Sequence, residues 1–444
     1  MNPQATKTVR TAHRRGELST EFAFSLADLP PARPVTQAYR RRAWEAFTAT
    51  PLPTTGEEAW RRTDLRRLDP ARFHLPEAEE SAALPPVPAA LLTPLVDAAH
   101  GGQIILAAAG VQTSLAADLA AQGVIFTDIA TAERLYPEVL QKILGQVVRP
   151  EEGKFSALAA ALSQRGVLIY VPRNVQVEAP LHTVLWGAGH ELAFFSHILI
   201  CLEDGASLTC VHEWASPPEA EILHAGIVEV HVGANARLRY VELQSWGQKT
   251  WHFSHERARV MRDGNLDWIF GAVGSRLTKT FTDLDLAEEG AQGRMSGFAF
   301  TDDSQHLDYD TQQNHLAPHT TSDLLFKGAL TDTSRSVWQG MIYVAPGAQK
   351  TDGYQANRNL LLSEHARADS IPGLEILADD VRCTHGATVG KVDPTELFYL
   401  RSRGIPKADA ERLIVEGFFT PVMERIPFQG VRERFEQAIR DKMA

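Results

Sequence analysis

Short runs of β-branched and aromatic residues follow one another from Gly166 to about Val392. Examples are VLIYV at 167–171, GIVEVHV at 226–232 and RLRYVEL at 237–243. Each run has the length of a strand, and none is followed by the helical pattern of about 10 to 15 residues that separates strands in a parallel α/β sheet. The pattern therefore predicts a mainly β fold over this span and argues against a doubly wound fold.

Turn signals centred on glycine separate these runs and suggest a loose repeat. Successive glycines are 28, 31, 26, 38 and 19 residues apart, which is in the range of stacked coils. The six signals are Asp204–Ala206, Val232–Ala234, Asp263–Asn265, Glu289–Ala291, Lys327–Ala329 and Pro346–Ala348. A β-sandwich or barrel competes with a β-helix. We favour the β-helix, because so many consecutive strands would overfill a sandwich but only lengthen a solenoid.

Helical patterns flank the predicted β core. On its N-terminal side, Gln37–Phe47 has a helix-forming composition. A Pro-rich, acidic stretch near 75–88 can hold neither a long helix nor a long strand, so it predicts a surface connection. We therefore expect an N-terminal helical and mixed region at residues 1–165 and the β-helix core at 166–392.

A C-terminal helical domain is predicted at residues 393–444. Asp393 followed by Pro394 is the pattern of a helix start. Two further helices are predicted at Ala408–Phe419 and Val431–Met443. An apolar stripe at helical spacing either packs inward or meets a partner. Its residues are Leu413, Ile414, Gly417 and Phe418.

Composition and charge narrow the functional classes. The chain has 444 residues with 55 acidic and 44 basic side chains, a net charge of −11, so no overall positive field attracts nucleic acid or an anionic membrane. It has three cysteines and no CxxC pair, which predicts neither a disulfide framework nor a self-contained zinc site. The sequence offers no long apolar run and no apolar segment near the amino terminus, so we expect neither a membrane span nor a secretory signal. A cytoplasmic protein is expected.

Two groups of potential ligands are interpreted as structural. Histidines and aspartates cluster between residues 302 and 319, but their spacing matches no metal-binding motif. They are Asp302, Asp303, His306, Asp308, Asp310, His315 and His319. Cys201 and Cys210 lie in apolar runs, so we expect both thiols in the core.

Cys383 and His385 form the candidate site, within RCTHG at 382–386. In a strand, residues two apart lie on the same face, so the thiol and the imidazole could meet one metal ion or cluster. A packed core cysteine is the alternative. An iron-sulfur cluster needs about four ligands, so a cluster built on these two residues would either borrow ligands from another chain or stay labile. The sequence contains no P-loop, nucleophile elbow or HExxH motif.

The sequence over Trp338–Phe418 resembles the C-terminal signature of the SufB/SufD family of the SUF iron-sulfur cluster assembly system. HLDYDTQQNHLAPH at 306–319 and PLPTTGEEAWRRTDL at 51–65 are similar to upstream segments of that family. SufB-type chains place a cysteine just before the position of Leu360, where this chain has QANRN. CTHGATVG at 383–390 is instead similar to the SufD pattern, so the resemblance implies a SufD-type subunit.

The resemblance also implies a fold and partners. The family fold is a right-handed parallel β-helix flanked by helical regions, and SufB and SufD pair through their β-helices. Each carries a SufC ATPase on its C-terminal helices, which makes the apolar stripe a candidate docking surface. ATP hydrolysis is expected in SufC, and this chain is expected to be a non-catalytic scaffold. A transient iron-sulfur cluster is expected at the SufB–SufD junction, with His385 and Cys383 as candidate metal ligands shared with SufB.

The sequence leaves other functions and partners open. A homodimer is an option when partners are absent, and a SufB-like homodimeric scaffold is an alternative function. A β-helix carbohydrate-active enzyme, using the acids between Asp302 and Asp310, is a less favoured alternative. Reduced flavin is linked to SUF complexes, but this sequence contains no flavin motif and we assign no residues to it.

Overall fold

The computed structural model describes residues 20–31, 33–93 and 100–443. The strands β1 to β19 are Gly102–Ala107, Gly110–Leu115, Ile125–Asp128, Arg165–Val171, Leu181–Trp186, His190–Leu202, Ser207–Ala215, Glu221–Val232, Arg237–Ser245, Trp251–Val260, Asn265–Ala272, Leu277–Leu286, Gln292–Thr301, His306–His315, Thr321–Leu330, Arg335–Val344, Asp352–Leu361, Arg367–Ile376 and Arg382–Lys391. The helices α1 to α10 are Pro34–Ala49, Ala78–Ala83, Ala89–Leu92, Ala117–Ala121, Ile129–Leu135, Pro137–Ile143, Lys154–Leu162, Pro394–Ser402, Lys407–Met423 and Gln429–Lys442.

The strands from β4 to β19 form a two-sheet parallel β-helix. Even-numbered strands from β4 to β18 build one sheet, and odd-numbered strands from β5 to β19 build the other. Each strand pairs in parallel with the strand two places along the chain. The chain thus climbs through about eight coils. This confirms the predicted β-helix and excludes the sandwich.

The coil length is more regular than the glycine spacing suggested. The register partners Arg237, Asn265 and Gln292 follow one another at 28 and 27 residues. The turn predicted at Lys327–Ala329 is wrong, because these residues lie inside β15. Gly328 serves there as a point of close approach, since a Cβ at this position would lie 2.5 Å from Oδ1 of Asn359 on the next coil.

The main core lies in the lumen between the two sheets. One inward-facing column of register partners runs along the odd-numbered strands through Leu181, Cys210, Tyr240, Trp268, Met295, Leu324, Gln355 and His385. The first six side chains are at most 2% exposed, and burying a large apolar side chain contributes roughly 1.5–3 kcal/mol. This column turns polar at its last two members, at the C-terminal end of the β-helix.

The segment before β4 covers the outer face of the even-numbered sheet. Phe155 of α7 stacks on Phe253 of β10, with ring centroids 3.6 Å apart. A buried ion pair between Arg40 and Glu133, at 3.1 Å, ties α1 to α5. Strands β1 and β2 extend the odd-numbered sheet beyond β5, and β3 pairs antiparallel with β4. The first coil of the β-helix is therefore extended by further strands, and the two sheets end at β2 and β3.

The predicted flanking elements are present. Helix α1 includes the predicted segment Gln37–Phe47, and the Pro-rich connection holds only the six-residue helix α2. At the start of α8, a side-chain oxygen of Asp393 accepts a hydrogen bond from the backbone N–H of Thr395 at 2.7 Å, as the sequence predicted. The division of the chain into three domains stays a prediction. No helix in the described part of the chain is long and apolar enough to cross a bilayer.

Helices α9 and α10 pack on the outer face of the odd-numbered sheet. Phe419 of α9 and Phe435 of α10 contact Phe298, with ring centroids 6.4 and 3.7 Å away. Both helices contribute to one buried apolar cluster with Val241 and Ile269 of the sheet. Helix α8, by contrast, has no buried residue. The C-terminal region is therefore part core and part exposed surface.

Candidate functional site at the open end of the β-helix

Among the residues that the structure describes, no strand pairs beyond the last coil of the β-helix. Strands β18 and β19 stand at the ends of their two sheets. Leu374 and Ile376 continue the inward-facing positions of Ile342 and Val344, yet both are 38% exposed. An exposed strand edge presents unpaired backbone groups and invites pairing with another chain. The C-terminal end therefore has the properties of an interface.

Cys383 lies just inside this end. Its register partner on β17 is Gly353, and a Cβ at that glycine would stand 3.2 Å from the cysteine Sγ. The thiol is half-buried and packs against a small apolar cluster that includes Ile342 and Val344. Burial raises the pKa of the Cys383 thiol, and a backbone hydrogen bond at Gly353 partly opposes this effect. The thiol is thus accessible but predominantly protonated before it meets a metal.

His385 lies on the same side of β19 as Cys383, as the two-residue spacing predicted. Its register partner is the fully buried Gln355, whose amide reaches across the lumen to Gly340 and Gly373. The inward direction of Gln355 fixes that of His385, because register partners in a sheet face the same way. Within the described part of the chain no coil covers His385, and its side chain is exposed. The structure thus brings a thiol and an imidazole to one face of an open strand.

This pair has the chemistry of an incomplete metal site. Imidazole and thiolate both bind iron, and histidine replaces cysteine in some iron-sulfur centres. Over the described residues, no group of three or more His, Cys, Asp or Glu is arranged to hold a metal ion. The described residues around this pair thus offer two potential ligands, whereas an iron-sulfur cluster generally has about four.

The three histidines between residues 302 and 319 do not come together. His306 lies on the outer face, with Nε2 2.9 Å from Oγ1 of Thr63. His315 lies in the lumen and bonds the Ser322 hydroxyl at 2.8 Å. Burial lowers the pKa of both imidazoles to about 4. His319 occupies a turn with a φ of 59°. These positions agree with the interpretation that the three histidines are structural and do not form one metal site.

The acids of the same segment are engaged by lysines. Lys279 is 1% exposed and lies 3.0 Å from both Asp308 and Asp310. Asp302 accepts a hydrogen bond from Lys442 of α10. Three of the four aspartates grouped in this segment are therefore paired with a lysine.

Cys201 and Cys210 are buried, as expected. Cys210 belongs to the inward-facing column of the lumen, and Cys201 is 7% exposed. Burial raises the pKa of the Cys201 thiol to about 12 and that of Cys210 still further. Both thiols are therefore unreactive at neutral pH.

The predicted docking stripe on α9 is only partly exposed. Leu413 is 44% exposed and Gly417 is exposed, whereas Ile414 and Phe418 pack partly against the core. Lys327 also donates a hydrogen bond to the Phe418 carbonyl at 2.5 Å. The stripe thus lies at the margin between core and surface.

Two aromatic residues of α8 that were not singled out from the sequence are also exposed. Phe398 and Tyr399 of α8 are 72% and 57% exposed. The adjacent apolar residues Leu397 and Leu400 are half-buried. Four consecutive large apolar side chains in an otherwise polar helix are the signal that could have identified them, because a single helix face cannot bury them all.

Buried polar groups below the terminal coil were also missed. The indole Nε1 of Trp338 and the Oε1 of Gln355 have no hydrogen-bond partner within the described structure. Both side chains crowd Gly340, where a Cβ would stand 2.1 Å from the Trp338 ring and 2.5 Å from Gln355 Oε1. Glycine at this position makes room for the two polar side chains beneath His385.

Comparison with known proteins decides the family. Residues 185–418 match the family described as "SUF system FeS cluster assembly, SufBD core domain". Residues 30–183 match the "SufBD protein N-terminal region". The chain belongs to the SufBD family. Its two matched regions together cover the β-helix and most of the N-terminal segment.

Individual relatives agree with this membership. The chain is 36% identical over 335 residues to "Iron-sulfur cluster assembly protein SufD" of Bacillus subtilis, an alignment that covers 74% of this chain and 76% of the relative. It is 32% identical over 316 residues to an "Iron-sulfur cluster assembly SufBD family protein" of Staphylococcus saprophyticus, covering 70% and 67% of the two chains. The corresponding protein of Staphylococcus epidermidis is 31% identical over the same length. The predicted SufBD-family membership, with SufD type, is confirmed.

Proposed function

We propose that this SufD-type chain is a non-catalytic scaffold of a SufB–SufC–SufD complex and that its uncovered last coil pairs with SufB. The observation that carries the proposal is the open end formed by β18 and β19, where His385 and Cys383 stand beside unpaired strand edges. Pairing would cover Leu374 and Ile376 and bring SufB ligands to this pair. In this proposal a nascent iron-sulfur cluster is bound at the interface between the two chains.

His385 is the more important ligand in this proposal. Its imidazole is exposed, and a neutral imidazole binds iron without first losing a proton. Cys383 is half-buried, and burial raises the pKa of its thiol, so metal binding must displace a proton that is held tightly. Cys383 therefore assists, and His385 is essential.

We place the SufC ATPase on the surface formed by Phe398, Tyr399 and Leu413, next to the predicted stripe at Ile414, Gly417 and Phe418. Exposed aromatic side chains in a cluster are typical anchors of protein interfaces. In this proposal SufC hydrolyses ATP, and this chain binds SufC without catalysing the reaction itself.

The remaining parts of the proposal concern the setting of the complex. We propose a cytoplasmic protein without a nucleic-acid partner, in line with its net charge of −11. In the absence of SufB, the same open edge can pair with a second copy of the chain. We assign no residues to the reduced flavin expected from the family resemblance.

Reconstitution on the copurified complex tests the proposal. His385→Ala should abolish cluster assembly, measured by absorbance and iron content, while SufB and SufC still copurify. Cys383→Ala should reduce the yield only modestly. His365→Ala is the matched control, because His365 is an exposed histidine in the loop before β18. Normal cluster yield with His385→Ala would refute the role, and loss of the complex would show that the residue is structural.

A further inference from the structure

The odd-numbered sheet has a second free edge, at the end opposite to the cluster site. The last strand there is β2, Gly110–Leu115, which we call the β2 edge. It pairs antiparallel with β1 on one side, and no strand in the described part of the chain pairs with its other side. β2 and β19 are nine strand spacings apart in this sheet, which corresponds to roughly 40 Å. The β2 edge is therefore separate from the open end of the β-helix.

The β2 edge lacks the features that normally protect a free strand. Charged side chains, prolines and bulges usually prevent such an edge from pairing with other chains. The sequence GVQTSL at 110–115 contains no charged residue and no proline, and its register with β1 is unbroken. The stretch without Asp, Glu, Lys or Arg covers residues 101–117, although 22% of the residues in the chain are charged. The edge is therefore suited to pairing with another strand.

The lumen side of β2 leaves apolar surface in contact with water. Val111 and Thr113 face this side, because their partners on β1, Leu106 and Ile104, are fully buried in the main core. Val111 and Leu115 pack against that core but are only half-buried, and Thr113 is exposed. A further strand beside β2 would cover the remaining surface of these three side chains.

The residue pattern of β2 is compatible with pairing to a second copy of itself. In an antiparallel pair about a two-fold axis that passes through Thr113 perpendicular to the sheet, residues of the same face lie opposite each other. Val111 of each copy then lies opposite Leu115 of the other, and the two Thr113 side chains meet at the axis. Such apolar and threonine pairs across neighbouring strands are favourable.

The charge of this region also favours a second copy. Each chain carries a net charge of −11, so two copies repel each other over much of their surfaces. Residues 101–117 carry no acidic or basic side chain, so that repulsion is smallest at the β2 edge. A strongly charged segment of another protein would find no opposite charge there. Pairing of β2 with β2 also uses both free edges, so this contact joins two copies and no more.

We propose that the β2 edge pairs with the β2 edge of a second copy of this chain, so that two odd-numbered sheets join into one continuous sheet. Each copy contributes six residues, so the interface is smaller than the standard size of about 1,600 Å². The dimer is therefore reversible, and its population depends on concentration. It leaves the open end at β19 free, and it does not depend on the proposed pairing with SufB.

Disulfide cross-linking of the full-length chain tests the contact directly. Thr113→Cys is made together with Cys383→Ala, because the other two cysteines are buried. Under mild oxidation it should form a disulfide-linked dimer at least about tenfold faster than the control, since pairing raises the effective concentration of the two thiols. Thr55→Cys in the same background is the control, because Thr55 is an exposed threonine away from β2.

Sedimentation of the chain over a range of concentrations gives a second measurement. Thr113→Lys should raise the dissociation constant of the dimer by at least about tenfold, because like charges directly opposite each other destabilise a strand pair. Thr55→Lys should leave the dissociation constant unchanged. A dimer formed through the open end would not cross-link at residue 113 and would be insensitive to Thr113→Lys, so the two contacts are distinguishable.

The proposal is overturned if Thr113→Cys forms the disulfide dimer no faster than Thr55→Cys. It is equally overturned if Thr113→Lys and Thr55→Lys have the same effect on the dissociation constant. A cross-link from residue 113 to a different, copurifying protein, without the dimer, would also overturn it and would assign the edge to another partner.

Discussion

Gln355 lies directly below His385 in the last two coils of the odd-numbered sheet, as its register partner on β17. The Gln355 side chain is fully buried, and its Nε2 donates to the carbonyls of Gly340 at 3.4 Å and Gly373 at 2.9 Å. Its Oε1 has no partner in the described part of the chain. The buried Gln355 amide thus lies below the exposed imidazole, and its Oε1 is a free acceptor in the lumen.

We predict that Gln355→Leu lowers cluster yield on the SufB–SufC–SufD complex by about tenfold or more. Groups that hold a metal-binding histidine in place typically change metal affinity by about 10 to 100-fold. Leucine has a similar size but cannot bond the Gly340 and Gly373 carbonyls. The measurement is iron and sulfide content after reconstitution, at equal amounts of folded complex.

Gln313→Leu is the control for this prediction. The Gln313 amide is also buried in the lumen, donates to the Ser322 hydroxyl at 2.6 Å and has an unpaired Oε1. Each variant should lower the free energy of unfolding by about 1–3 kcal/mol. An equal loss of cluster yield in both variants would mean that lumen stability, rather than the position of His385, is responsible.

We predict that replacing both Phe398 and Leu413 by Ser weakens SufC binding by at least about tenfold, because anchors at the centre of an interface contribute about 2 kcal/mol or more. Binding is measured with purified SufC. Stability should change little, since Phe398 is 72% and Leu413 44% exposed. Leu26→Ser, at an exposed leucine in the N-terminal segment, is the control. Unchanged SufC affinity in the double variant would remove α8 and α9 from the docking surface.

The structure also changes how this docking can be tested. From the sequence alone, removal of residues 408–444 would be expected to leave the β-helix folded. Helices α9 and α10 instead cover Val241 and Ile269 on the sheet. Their deletion would expose a large apolar face and destabilise the β-helix. Point substitutions on the exposed side are therefore the better experiment.

The β-helix was predictable because the residue pattern of each short segment favours the same element, a strand, that the packed structure contains. Strand-length runs without intervening helices determine the class, and the period of two placed Cys383 and His385 on one face. That they lie on the last coil was not predictable, because a sequence pattern does not show which strands remain unpaired. The exposure of Phe398 and Tyr399 likewise depends on which face α8 turns to the protein. Gly328 was misassigned because a glycine in a turn and a glycine at a close approach look alike in sequence.

We predict that Arg434→Ala lowers the free energy of unfolding by about 3 kcal/mol, measured by urea denaturation. Arg434 of α10 donates to the carboxylate of Glu213, which is 1% exposed and lies 2.6 Å from His182. Removing one partner of a buried charge leaves the other poorly compensated. Arg440→Ala is the control, because its pair with Glu436 is exposed and 4.0 Å long, and such pairs contribute less than about 1 kcal/mol. Equal effects of the two substitutions would contradict a buried anchor at Arg434.

Two carboxyl groups face each other in the middle of the lumen. Glu242 accepts a hydrogen bond from the indole of Trp268 at 3.0 Å, and Glu256 accepts one from the hydroxyl of Thr282 at 3.3 Å. Both are buried, and no described cation acts on either of them. Burial is the main cause that raises their pKa values, that of Glu256 to about 7. At least one of them is therefore protonated near neutral pH.

We predict that Glu256→Gln becomes progressively more stable than the parent chain as pH rises from 5 to about 7. In the unfolded chain a glutamic acid loses its proton near pH 4.3, whereas in the folded chain Glu256 keeps it until about pH 7. Between these values Glu256 holds a proton only in the folded state, so this one carboxyl lowers the unfolding free energy of the parent chain by up to about 1.4 kcal/mol per pH unit. Buried histidines such as His252, whose pKa burial lowers to about 3, add an opposite slope in both proteins, so the difference between the two urea denaturation curves is the quantity to measure. Glu219→Gln, at an exposed turn, should show no such divergence, and a difference for Glu256→Gln that is constant with pH would show that this carboxyl is not protonated in the folded chain.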